Sequence, residues 1–106
     1  MTEAELMNTL RLELSKYGVV LRLNGGVFRT ADGRYISSGL PPGTSDLQLV
    51  GHREVAFIEV KTATGRTTQE QEAFLRRMKE LGHRAGVVRS VDEALELIGG
   101  LSCHSE

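Results

Sequence analysis

The chain has 106 residues, 40% of them hydrophobic and 25% charged, with a formal net charge of −1 at pH 7. That length supports one hydrophobic core and leaves no room for a second, the composition is that of an ordinary globular domain, and no apolar run approaches the roughly 20 residues that span a bilayer. The near-neutral charge is not the footprint of a nucleic-acid binder, the acidic opening Met1-Thr2-Glu3-Ala4-Glu5 is unlike a signal peptide, and a lone cysteine, Cys103, makes no internal disulfide and fits a reducing cytoplasm.

The first predicted element is a helix from Thr2 to Tyr17. Leu6, Leu10, Leu14 and Tyr17 recur at helical spacing, Thr2-x-x-Glu5 fits a capping box, and Gly18 is a plausible stop. Val19 to Leu23 reads as a strand, with Val19, Leu21 and Leu23 on one face and Val20 and Arg22 on the other, and Asn24-Gly25-Gly26 breaks it. Val27 to Thr30 and Arg34 to Ser37 flank Ala31-Asp32-Gly33, where Asp-Gly between extended runs signals a hairpin. The alternative is a mobile loop; a projecting hairpin would be placed to touch DNA or a second subunit. Ser38 to Ser45 reads as a rigid turn. Pro41 and Pro42 fix two φ angles, while Gly39 and Gly43 supply unusual φ or let a backbone approach closely.

Next come two short apolar runs, Leu47 to Val50 and Val55 to Lys61, around the turn-like Gly51-His52-Arg53-Glu54, with Asp46 opening the first strand and Glu59 and Lys61 closing the second. They predict an antiparallel hairpin. Alternation puts Phe57, Glu59 and Lys61 on one face and Ala56, Ile58 and Val60 on the other. The fold-back brings the start of the first strand near the end of the second. Asp46, Glu59 and Lys61 therefore converge at one end of the hairpin.

Thr62 to Arg66 is a polar loop. Thr67 or Thr68 then starts a helix to about Leu81, with Gly82 as its stop. Thr68-x-x-Gln71 is a second capping box, yet Gln71, Phe74, Leu75 and Met78 form one buried stripe. Gln71 therefore has two readings, a helix cap or an amide that must find partners inside. Ala85 to Arg89 predicts the last strand, and Ser90-x-x-Glu93 caps a short helix through Ile98 that Gly99-Gly100 ends. Residues 1–100 form the expected domain; 101–106 are expected to be a disordered tail in which Cys103 and His104 are solvated. His52 and His83 are expected at the surface rather than in a site.

Two close carboxylates repel each other, and a divalent cation relieves the repulsion. All-oxygen ligands suit a hard ion such as Mg²⁺ or Mn²⁺. A lysine beside it orients or helps deprotonate a water and stabilises charge on a phosphate. The plain alternative is a solvated salt-bridge ladder on a sheet face.

Asp46 followed by Glu59-Val60-Lys61 resembles the PD-(D/E)xK nuclease signature. The longer string, Gly39 to Leu47, then Phe-Ile-Glu-Val-Lys-Thr, then Gly65-Arg66-Thr67-Thr68-x-x-Gln71-x-x-Phe74, resembles the virus-type replication-repair nuclease (VRR-NUC) branch, over about Glu5 to Gly86. The resemblance implies an α/β fold with a restriction-endonuclease-like core, a mixed central β-sheet flanked by helices. It implies metal-dependent cleavage of DNA that leaves a 5′-phosphate. Asp46, Glu59 and the carbonyl of Val60 would hold Mg²⁺ or Mn²⁺, and Lys61 would activate water. A helix-borne acid completes the set: Glu5 with Leu6 matches the family pattern, Glu3 competes, and the capping box accounts for Glu5 without any function. In the family the glutamine of Gln-x-x-Phe lies near the site, which favours Gln71 over Gln69. Arg22, in a partial Arg-x-Asn-x-Gly match, and Arg66 are candidate DNA contacts. Arg29, Arg34 and Arg53 add further positive charge near the proposed site, so the net charge neither supports nor excludes DNA.

Stand-alone members of this branch resemble small dimeric junction resolvases. The expectation is a homodimeric endonuclease for branched DNA, cytoplasmic, without a membrane partner, and phage- or prophage-encoded in a bacterial host. A flap, nicking or restriction-type nuclease with the same site is the first alternative, and a non-catalytic nucleic-acid interaction domain the second.

Overall fold

The structure, a computed structural model, describes residues 1–99. The expected tail, with Cys103 and His104, lies outside the described residues.

Nine elements follow one another: α1 (Glu3–Leu14), β1 (Val19–Arg22), β2 (Val27–Arg29), β3 (Tyr35–Ser37), β4 (Leu47–Val50), β5 (Val55–Val60), α2 (Gln69–Glu80), β6 (Arg84–Val88) and α3 (Val91–Leu97). This is the predicted order of helix, strand, two hairpins, helix, strand and helix. The boundaries moved a little. α1 ends at Leu14 rather than Tyr17, though Tyr17 still packs on the core. β6 begins at Arg84 and ends at Val88, which leaves Arg89 outside the ladder.

The central sheet has the order β1-β4-β5-β6. β1 and β4 are antiparallel, as are β4 and β5, while β5 and β6 are parallel across the α2 connection. A parallel pair needs such a crossover, and a helix supplies it. The sheet is therefore mixed, with helices on both faces. β2 and β3 pair only with each other, in a separate two-stranded ribbon.

Alternation sorts β4 and β5 into two faces. Leu47, Leu49, Ala56, Ile58 and Val60 meet Leu6, Met7, Leu10 and Leu14 of α1, together with Ala94 and Ile98 around α3, in one buried cluster. Each fully buried leucine or isoleucine there contributes about 1.5–3 kcal/mol. α2 covers the other face, over β5 and β6. Phe57 and Phe74 meet edge to face, with centroids 5.5 Å apart. In β1 the core side is the Val20 side; Val19 and Leu21 are 61% and 42% exposed, because α2 sits at the opposite edge of the sheet. Among the described residues no helix is long and apolar enough to cross a membrane.

Candidate active site

The register pairs Leu47 with Ile58, so Asp46 stands opposite Glu59, one step past the end of the β4–β5 ladder. Two bonds hold Asp46 there. Its backbone carbonyl accepts from the Leu23 N–H at 2.8 Å, and its Oδ2 accepts from the Val60 N–H at 2.9 Å. Had β4 started earlier, a backbone carbonyl would meet the Val60 N–H; the carboxylate takes that role and satisfies the donor. The preceding turn makes this possible by leading the chain out of the ladder at Ser45. The Ser45 hydroxyl is itself buried and donates to the Leu47 carbonyl at 3.1 Å.

Glu59 is 2% exposed and is the one buried charged residue among the described residues. Two groups serve its Oε2. Gln71 Nε2 donates at 3.0 Å, and Lys61 Nζ lies at 3.6 Å, from a side chain that is itself 16% exposed. Phe57, Glu59 and Lys61 share the α2 face, as alternation predicts, and α2 brings Gln71 down onto it. Burial pushes the Glu59 carboxyl up to about 7, the nearby Asp46 charge adds to the rise, and Lys61 opposes it.

Gln71 fulfils both of its readings with opposite ends of one amide. Its Oε1 accepts from the Thr68 N–H at 2.9 Å and its N–H is capped by the Thr68 hydroxyl at 3.1 Å, while Nε2 reaches Glu59. A glutamate at this position would cap equally well and would then face Glu59 with a like charge.

The structure does not bring Glu5 into this group. Its carboxylate is exposed and accepts from the Thr2 N–H at 2.9 Å, completing the first capping box. That bond, followed by the Thr2 hydroxyl, holds the Glu5 carboxyl below its ordinary value. Among the described residues no cluster of three histidine, cysteine, aspartate or glutamate side chains is formed. Glu3, the competitor, lines a recess with Ala4, Met7, Asn8 and Arg22. Arg22 pairs with Leu47 and thus falls on the α1 side of the sheet, opposite to Asp46 and Glu59. Arg66 is exposed on the loop after Lys61.

One residue outside the sequence candidates shapes the site. Arg89 Nη1 donates to the carbonyls of Thr62 and Gly65, at 2.5 and 2.6 Å, and so pins the loop that follows Lys61. Its partners lie far away in the chain, and no local pattern marks an arginine for such a task.

The donor set fits a small hard cation. Asp46 and Glu59 face each other at the sheet end, and the charge on Glu59 is already disfavoured by burial and by its neighbour. Magnesium uses one or two carboxylates and keeps several waters, so a pair suffices.

Comparison with known proteins gives the same frame. The VRR-NUC domain model matches residues 25–92. A solved structure titled "VRR_NUC domain" superposes with a TM-score of 0.65 and 23% identity, covering 92% of this chain and 94% of that one. No curated protein matches the chain. The family match takes in the turn, both strands of the Asp46–Glu59 hairpin and the helix that carries Gln71, and on that match the chain belongs to the VRR-NUC family.

Proposed function

We propose that this domain is a nuclease that hydrolyses DNA phosphodiester bonds with Mg²⁺ or Mn²⁺ held by Asp46, Glu59 and the carbonyl of Val60. Membership in the VRR-NUC family supports the nuclease-type, hydrolytic function. The observation that carries the finer reading is the buried Glu59, faced by Asp46 and bonded by Gln71 beside Lys61. A fold that needed only stability would place an apolar side chain there, because an ionised carboxylate is costly to bury.

When bound, the cation supplies Lewis-acid polarisation and neutralises charge on the phosphate. The chain's own residues do the rest. The Val60 N–H fixes the angle of the Asp46 carboxylate. Gln71 holds Glu59 in one rotamer. Lys61 orients the attacking water, and its ammonium stabilises charge that grows in the transition state.

The preferred substrate in this reading is branched DNA, cut by a homodimer whose two-fold symmetry sets two sites on opposed strands. The β2–β3 ribbon supports the second copy as partner. It exposes Val27, Phe28, Tyr35 and Ile36, and an isolated two-stranded ribbon is marginal in water.

Cleavage of four-way, flap and linear duplex DNA at equal concentration, with and without Mg²⁺, tests the proposal beside a mass measurement in solution. Preference for the four-way substrate by a dimer supports it. Preference for flap or linear DNA favours a flap, nicking or restriction-type enzyme. Binding without Mg²⁺-dependent cleavage of any substrate refutes it in favour of an interaction domain.

A further inference from the structure

The turn before Asp46 has an unusual relation to α2. The Thr44 N–H and hydroxyl both donate to the Pro41 carbonyl, at 3.2 and 2.6 Å. That closes a β-turn with Pro42 second and Gly43 third. Gly43 has φ +84, as the third position of a type II turn requires. A second constraint acts on the same residue. A Cβ added to Gly43 would lie 2.2 Å from the Glu70 carbonyl oxygen, 2.3 Å from its carbon and 2.8 Å from the Gln71 nitrogen. The peptide between Glu70 and Gln71, in the first turn of α2, rests directly on this glycine.

Gly39, in the same loop, has φ +82 and nothing within 4 Å of an added Cβ. The two glycines thus share the conformational demand and differ in the helix contact.

We infer that Gly43 is a positioning residue: its bare backbone seats the first turn of α2 on the turn that carries Asp46, and so sets the reach of Gln71 to Glu59. The inference rests on the reading of Asp46, Glu59 and Gln71 as one site. The Gln71 amide is anchored at Oε1 by the Thr68 N–H, so it moves with the helix turn rather than independently. A methyl group at Gly43 forces that turn to recede by about 1 Å to reach ordinary contact. The 3.0 Å bond to Glu59 does not survive such a shift. Asp46 and Gln71 approach Glu59 from different elements, and the glycine keeps the two approaches in step.

Gly43→Ala and Gly39→Ala test this as a matched pair. Hydrogen exchange of the Gln71 side-chain amide, followed by NMR, reads the bond to Glu59 without any turnover. In Gly43→Ala that exchange speeds up by at least about tenfold, and kcat for Mg²⁺-dependent cleavage falls by about 10- to 100-fold with KM nearly unchanged. Gly39→Ala carries the same strain at positive φ but meets no part of α2, so it stays within about twofold of the parent on both measures. Equal behaviour of the two variants overturns the inference. Should Gly43→Ala not fold, an NOE between the Gly43 Hα and the Gln71 backbone amide proton in the parent chain tests the seat itself: its presence supports the inference and its absence overturns it. If the parent cleaves no DNA, the nuclease reading fails while amide exchange still decides the role of Gly43. If cleavage is present and Gly43→Ala leaves it intact, the positioning role fails and the nuclease reading stands.

Discussion

Neutralising Glu59 should make the metal-free protein more stable, and by an amount that depends on pH. The Glu59 carboxyl rises from an ordinary 4.5 to about 7 in the folded chain. Each pKa unit is worth about 1.4 kcal/mol, so the ionised side chain costs the fold about 3 kcal/mol. The sign follows from proton binding. Between about pH 4.5 and 7 the folded state holds a proton that the unfolded state has released, so stability falls as pH rises through that window. Below it the cost is absent, and above it the cost is complete. Glu59→Gln mimics the protonated side chain and keeps an acceptor for Gln71, though Lys61 loses an ionic partner.

The expected gain in EDTA at pH 8 is therefore about 2–3 kcal/mol, or roughly 10–15 °C in melting temperature for a domain of this size. At pH 5 the gain should shrink to less than about 1 kcal/mol. Thermal melts of both proteins across this range measure it, and titrating groups remote from Glu59 drop out of the difference. Adding Mg²⁺ should raise the parent's melting temperature and leave that of Glu59→Gln nearly unchanged. A variant no more stable than the parent at pH 8, or a gain that ignores pH, refutes the argument that a buried, repelled charge sits at this position. Asp46→Asn relieves the same repulsion but gives up the charge on the acceptor of the Val60 N–H, so its gain should be smaller.

Lys61→Ala should lower cleavage by at least about 100-fold while DNA binding stays near that of the parent, and the metal-free protein should lose stability at pH 8 because Glu59 gives up the ammonium that offsets its burial; parental turnover would remove Lys61 from the chemistry. Gln71→Glu keeps the capping box and sets a second carboxylate against Glu59, so helix content by circular dichroism should hold while stability at pH 8 drops by about 1–3 kcal/mol. Unchanged stability and turnover would leave Gln71 as a cap alone. Arg89→Ala releases two loop carbonyls, costs about 1–3 kcal/mol in urea unfolding, and should reduce kcat more than it changes KM; an effect on stability without one on kcat would make the clamp purely structural.

The meeting of Asp46 and Glu59 was legible in the sequence because it needs only two local rules. Strand alternation puts Glu59 and Lys61 on one face, and an antiparallel turn at Gly51 to Glu54 folds Asp46 back to the same end. Both rules depend on residues near one another in the chain. The order of elements was legible for the same reason, since Gly, Pro or Asp-Gly punctuates every boundary but the last, where the Ser90 cap marks the start of α3. The buried face of β1 was not. Alternation divides Val19 and Leu21 from Val20 but does not say which set lies under a helix; the packing of α1 and α3 decides that. Gln71 stood between two readings because pattern reasoning treats a side chain as one object. Its amide has an acceptor end and a donor end, and the fold uses each. Glu5 shows the opposite case, where the local cap already occupies the carboxylate that the family pattern nominates.

The same contrast explains why this site sits at the end of the sheet rather than inside it. Within the ladder every backbone N–H and carbonyl is matched by a neighbouring strand, and a carboxylate has nothing to accept from. At the end of β4 one partner is missing, and the Val60 N–H becomes available to a side chain. Glu59 remains on the strand, deep enough to be desolvated, while Asp46 stands on the turn, close enough to repel it. Burial sharpens that repulsion because the surrounding medium screens it weakly. On the proposed reading, neither carboxylate alone would hold a cation as strongly as the pair. A buried acid next to a half-exposed one, with an amide and an ammonium on the buried partner, stores its unfavourable charge where a cation can discharge it.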